Sequence, residues 1–266
     1  INSERLRLIG YINADYFWRW RVTYCLGIKV KEGLIFCSDS RTNAGIDLVN
    51  TYKKMYTFGV PKQNQFCILA SGNLATTQGV IHQIKKDIET AAGLNLLSFT
   101  NFYDAVEYIG RISTHQQSKT GGGPTFSANF IVGGQIAGKS HELAMVYPEG
   151  NYISATKLAP FLQIGESKYG KPILDRIINI DTPLETCALC ALVSMGSTIK
   201  SNLGVGPPID VQFYYADTLM LGEQYHFDEN DTYLKEVDRV WGAKLIESFM
   251  QLPRIADHAN NSRELQ

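Results

Sequence analysis

The sequence predicts an α+β fold in which two stacked sheets are covered by helices on both outer faces. Two observations point to it. Apolar, β-like runs come in groups, and helical stretches come in pairs between those groups: strand pair, two helices, a block of strands, two helices, a strand pair. That order lacks the strict alternation of βαβ units and favours layers. No stretch from residue 23 onward is rich enough in Pro, Gly or charge to act as a linker, so residues 23–266 read as one domain.

The elements follow in order. Residues 23–30 (TYCLGIKV) and 34–39 (LIFCSD) are two strands joined by the turn Lys31-Glu32-Gly33. Residues 40–52 carry Gly and Asn and read as a looser stretch ending at Lys53-Lys54. Residues 55–59 and 65–73 are β-like, the second stopping at Gly72-Asn73. Two helices are expected over 74–92 and 102–117, the first with Val80, Ile81, Ile84 and Ile88 at helical spacing. Gly121, Gly122, Gly123 and Pro124 form a turn. A second β block covers 127–136, 141–150, 151–157 and 161–167, with Gly or Pro-Glu-Gly at most joins. Helices return over 169–178 and 182–200, strands over 210–217 and 219–228, and a last helix over 233–250. The tail from Pro253 is polar and reads as frayed.

Composition excludes several function classes. The 266 residues carry a net charge of −1, which leaves no broad basic surface for a nucleic-acid backbone. The apolar runs fall short of a membrane span. Five cysteines, an odd number among apolar neighbours, suit reduced thiols and a cytoplasmic protein. Cys187 and Cys190 make a C-x-x-C, but inside a helical apolar run without a second Cys or His pair, so they read as packing residues. His82, His115, His141, His226 and His258 show no metal spacing, the Gly121–Pro124 turn is not a phosphate loop, and Ser167 lacks a G-x-S-x-G elbow. Neither metal nor cofactor is expected.

Thr23 is the residue on which the functional reading turns. A threonine at a chain start supplies both halves of a nucleophilic pair: its hydroxyl attacks and its α-amine takes the proton. That amine titrates near ~8, against ~10.4 for lysine, so it is more often free at neutral pH. Asp39 ends the partner strand, Lys53 and Lys54 precede the next one, and Gly72 stands at a strand-to-helix junction where a backbone N–H can hold an oxyanion. Singly these residues suit a strand-end cap, a solvated lysine pair and a helix N-cap; their order around one threonine gives them weight. Residues 1–22, aromatic and interrupted by charge, keep the Thr23 amine in a peptide bond. They read as a propeptide, or as upstream sequence from a misplaced start, with Val22 at the position of a GUG initiator.

That order resembles the proteasome-type β subunits of the N-terminal nucleophile hydrolases, and among them the bacterial proteasome homologues called Anbu. The resemblance is carried by TYCLGIKV, GLIFCSDSRTNAG, the lysine of YKKM, CILASGN, PFLQIGESKYGKPILDR and GPPIDVQFY. It implies a four-layer αββα sandwich, Thr23 as nucleophile, Asp39 orienting a charged Lys54, and Gly72 supplying the oxyanion N–H. It also implies peptidase or amidase chemistry through an acyl-enzyme, within a large homo-oligomer, a ring or a helix. Two departures touch the supporting residues. Glu166 and Ser167 stand where the family has Ser-Gly, and Ser201-Asn202-Leu203-Gly204 lacks the family's Asp and Ser. Rival readings are a catalytically weak ring scaffold of the same fold and a small-molecule amidase.

Overall fold

The computed structural model describes residues 23–43, 49–91, 93–119 and 121–255; the expectation for residues 1–22 lies outside them, as do His258 and the tail beyond residue 255. Two compact units divide the chain between Glu229 and Asn230.

The first unit is the αββα sandwich. One sheet has the order β10-β1-β2-β11-β12, formed by Phe161–Gly165, Tyr24–Val30, Gly33–Asp39, Ile209–Tyr215 and Gln224–Phe227. The other runs β5-β6-β7-β8-β9, formed by Met55–Val60, Asn64–Gly72, Ala128–Ile136, Glu142–Val146 and Tyr152–Ser154. All pairings are antiparallel. Helices α1 (Leu74–Glu89) and α2 (Phe102–Lys119) cover the second sheet; α4 (Leu184–Ser201) covers β1, β2 and β11, with α3 (Lys171–Ile177) beside it.

Central strands such as β2 are buried at every position because both faces are covered, which is why they read as apolar runs without alternation. Between the sheets pack Cys25, Leu34, Phe36 and Tyr214 from one side and Met55, Leu69, Ile131 and Leu143 from the other. The sheets come close enough that a Cβ on Gly133 would stand 2.5 Å from the Phe36 ring. Burying that ring contributes about 1.5–3 kcal/mol. Under α1 and α2, Val80, Ile84, Val106 and Ile109 meet Ile68, Phe130 and Val132. The β1–β2 turn is tied to the other outer layer, since Glu32 Oε2 accepts the Leu184 N–H at 2.7 Å and so caps α4.

Several expected elements change in extent, among them the strand expected over 141–150, which spans only Glu142–Val146. The looser stretch holds a short hairpin, β3 (Arg41–Asn43) with β4 (Val49–Thr51). The strand expected from residue 151 shrinks to Tyr152–Ser154. The strand expected from residue 219 starts only at Gln224, because Asp217 and Leu219 adopt left-handed backbone and the Gln212 amide donates to the Gly222 and Glu223 carbonyls in place of regular pairing.

The second unit contains α5 (Thr232–Met250), opened by the Asp231 side chain accepting the Leu234 N–H at 2.9 Å. It carries the exposed apolar side chains Ile246, Phe249 and Met250.

Candidate active site

Register brings the first pair of predicted residues together. β1 and β2 align Cys25 with Ser38, which sets Asp39 beside Tyr24, the residue after Thr23. Asp39 Oδ1 accepts the Tyr24 N–H at 3.0 Å and the Lys54 ammonium at 2.7 Å. Tyr24 N and Lys54 Nζ share one oxygen, so they are no farther apart than those two distances summed. Lys54 also donates to the Arg41 carbonyl at 2.5 Å, and Asp39 Oδ2 accepts the Gly206 N–H at 3.4 Å.

Both charges are buried. Asp39 is 0% exposed and Lys54 6%. Burial pushes the Asp39 carboxyl above its ordinary value, against the opposing pull of Lys54 and of the Tyr24 and Gly206 N–H groups. Such a pair adds little net stability compared with apolar packing, but losing one partner is costly. Lys53 does not join it. It precedes the paired lysine and lines a separate pocket of roughly 480 Å³ with Ser40, Thr51, Tyr52, Asp210 and His226. In that pocket His226 Nδ1 and Asp210 Oδ1 are 2.7 Å apart.

On its other edge β1 pairs with β10. The Glu166 N–H donates to the Thr23 carbonyl at 2.7 Å, continuing the register that aligns Tyr24 with Gly165. Gly165 has φ +84°, and a Cβ there would stand 1.8 Å from the Thr23 carbonyl oxygen, so this approach requires glycine. The Glu166 carboxylate accepts from Asn202 Nδ2 at 3.3 Å, just past the end of α4. Ser167 contributes its carbonyl, to the Lys171 N–H at 3.1 Å and to Gln163 Nε2 at 3.4 Å.

The buried Tyr24 hydroxyl meets Ser194 Oγ at 2.7 Å and accepts from Gln163 Nε2 at 2.6 Å. Burial raises the Tyr24 phenol well above its ordinary value, so it stays protonated. Sequence reasoning missed this network, and it missed Gly206 and the Arg41 carbonyl. Only the unusual Asn202 left a trace, as a departure from the resembled pattern.

Gly72 ends β6 with φ +115°, where a Cβ would stand 2.4 Å from the Ser127 carbonyl. Asn73 then caps α1, its side chain accepting the Thr76 N–H at 3.0 Å. Along a strand, N–H groups alternate sides. The Ala70 N–H goes to the Lys54 carbonyl and the Asn73 N–H to the Ser127 carbonyl, both at 2.9 Å. That alternation puts the Gly72 N–H on the Lys54 side.

Elsewhere the chemistry is quieter. Cys187 and Cys190 lie buried in α4, where burial pushes both thiols up to about 12. Among the described residues no cluster of three or more His, Cys, Asp or Glu is placed to hold a metal ion, and no helix is long and apolar enough to cross a membrane.

Residues 22–212 match the family model described as proteasome subunit. The chain is similar to Anbu, the ancestral β-subunit, from Yersinia bercovieri: 40% identity, TM-score 0.85, 88% of this chain and 98% of that one covered. It is similar to an Anbu Gly-1 mutant from Hyphomicrobium sp. strain MC1, at 38% identity and TM-score 0.84 over 88% and 99% of the two chains. A Pseudomonas aeruginosa structure described as the helical assembly of the Anbu complex shares 45% identity and TM-score 0.83 over 87% and 98%. No curated protein sequence matches. With its sandwich, its buried Asp39–Lys54 pair at the head of β1 and these relatives, the chain belongs to the proteasome subunit family, among the Anbu proteins.

Proposed function

We propose that this protein is a threonine-type peptidase or amidase, with Thr23 as nucleophile once it is the first residue of the chain. The observation that carries the reading is the buried Lys54 ammonium, fixed on Asp39 together with the N–H that follows Thr23. A fixed cation at that place lowers the proton affinity of the Thr23 hydroxyl and α-amine. Thr23 Oγ attacks the substrate carbonyl carbon and its proton passes to the amine. The oxyanion forms at the Gly72 N–H, the ammonium protonates the leaving nitrogen, and the C–N bond breaks to leave an ester on Thr23. Water, deprotonated by the amine, then releases the acid. Asp39 orients Lys54, and Glu166 and Ser167 support the strand that faces Thr23.

The protein acts in the cytoplasm, where its five buried free cysteines remain reduced. It works as a homo-oligomer, a ring or a helix. The exposed apolar side chains of α5 and the helical assembly described for the Pseudomonas relative support this. The test is covalent labelling by a threonine-directed electrophile of protein that begins at Thr23. Labelling that is lost in Thr23→Ala supports the reading. Equal labelling of both proteins, or none of either, leaves the ring scaffold. Labelling without peptide cleavage, but with turnover of small amides, replaces the peptidase with an amidase.

A further inference from the structure

We propose that the pocket built on Ser40, Lys53, Asp210 and His226 binds a small zwitterion of the amino-acid type, with its ammonium on Asp210 and its carboxylate on Lys53. The strand order places this site. β2, which carries Asp39, lies between β1, which follows Thr23, and β11, so a pocket over β11 and β12 stands across β2 from Thr23. Ser40 follows Asp39 and Lys53 precedes Lys54, and the Tyr52 N–H donates to the Ser40 carbonyl at 2.9 Å, which ties the two wall segments together. At roughly 480 Å³ the pocket falls within the about 300–1,000 Å³ of small-molecule sites.

Its groups are held in place by the fold. The β11–β12 register sets Asp210 opposite His226, so both side chains stand on one face, and Gln224 shares it two residues earlier. Asp210 Oδ1 lies 2.7 Å from His226 Nδ1, and because an ionised carboxylate only accepts, the ring donates and its orientation is fixed. Asp210 is only 7% exposed, yet its second oxygen has no partner among the described residues. Ser40 is 5% exposed, and its hydroxyl has none either. Among the described residues the one enclosed side-chain atom without a partner is Ser38 Oγ, so these two oxygens reach open space in the pocket they line.

Charge selects the ligand. Lys53 is exposed and has no ionic partner among the described residues, so it and Asp210 give the pocket one charge of each sign. A simple anion on Lys53 would face the Asp210 carboxylate, and a simple cation on Asp210 would face the Lys53 ammonium; juxtaposed like charges disfavour both. A zwitterion meets each charge with its opposite. The Ser40 and Thr51 hydroxyls and the Gln224 amide can donate to its carboxylate, and His226 Nε2 can accept from its ammonium. Among the described residues the lining has no aliphatic side chain larger than Pro208, which favours a ligand with a small side chain such as alanine.

The test uses the full chain carrying Thr23→Ala, so that no probe is turned over and the outcome does not depend on the nucleophile. Binding is titrated by ligand-observed NMR with L-alanine and L-alanyl-L-alanine, and with N-acetyl-L-alanine and L-alaninamide, which carry only the anion or only the cation. At least one zwitterion saturates the protein, and both single-charge probes bind it roughly tenfold more weakly, as loss of one charge-assisted contact requires. Lys53→Met and Asp210→Asn each weaken the zwitterion by a similar factor. Lys53 is exposed, so its variant carries the test if Asp210→Asn fails to fold. Binding of N-acetyl-L-alanine or L-alaninamide as tight as that of the zwitterions overturns the proposal and leaves a site for anions or for cations. Zwitterion binding unchanged in Lys53→Met, or no saturable binding of either zwitterion, overturns it as well.

Discussion

Replacing Lys54 by Met keeps the length of the side chain and removes its charge, which isolates what the ammonium contributes. In the native site Asp39 is 0% exposed and takes three donors: Lys54 Nζ at 2.7 Å, the Tyr24 N–H at 3.0 Å and the Gly206 N–H at 3.4 Å. The substitution leaves the carboxylate buried with two backbone donors, one of them long. Stripping one partner from a buried pair costs about 3–5 kcal/mol, and the two remaining N–H groups place this case near about 3 kcal/mol. The deficit depends on pH. Asp39 is an acid whose native-state value is raised by burial, so its contribution is complete below the ordinary carboxylate range and is lost as pH rises through the native-state value. Without Lys54 to offset that loss, Lys54→Met is weakest at neutral pH and approaches the native protein in acid. Urea unfolding at several pH values, with an unchanged slope, reads both effects. A loss below about 0.5 kcal/mol at neutral pH, or a deficit that grows in acid, refutes the buried-pair account.

Other consequences are simpler to read. Combining Lys54→Met with Asp39→Asn costs less than the two single losses added, with coupling of about 1–3 kcal/mol by a double-mutant cycle. Gly165→Ala drives a methyl toward the Thr23 carbonyl oxygen, 1.8 Å from an ideal Cβ; about 1–3 kcal/mol of stability goes, and Thr23 labelling falls with it. Tyr24→Phe removes the hydroxyl shared with Ser194 and Gln163 and leaves the buried Ser194 hydroxyl without that partner, a loss of about 1–3 kcal/mol that Ser194→Ala in the same chain reduces. Cys187 and Cys190 react with an aromatic disulfide reagent only as fast as the protein unfolds; rapid modification of the folded chain contradicts their burial in α4.

What the sequence discloses and what it hides follows from the range of each interaction. Asp39 was legible because a short turn joins its strand to the one after Thr23, so the pairing register places it almost by itself. Lys54 was not separable from Lys53 by the residues alone, since neighbours on an extended segment point to opposite sides and the tertiary fold decides which points inward. Gly72 was legible as a junction, but its N–H direction needed the two flanking bonds from Ala70 and Asn73. The donors on Asp39 from Gly206 and the acceptor on Lys54 from Arg41 are backbone groups, which leave no mark in residue type. Glu166 and Asn202 lie 36 residues apart, and Tyr24 and Ser194 170 apart; both pairs exist only because α4 lies back across β1 and β2. Layer order was readable from the grouping of elements, whereas the short extents of β9 and β12 depended on turns whose backbone no composition reveals.

The mass of the protein purified from its own host tests the central claim most directly, read at its N-terminus before and after treatment with the threonine-directed electrophile. The account predicts a chain that begins at Thr23 and gains one reagent adduct on that residue. A chain that keeps residues 1–22 and gains no adduct contradicts it, because the Thr23 nitrogen is then an amide that cannot accept a proton.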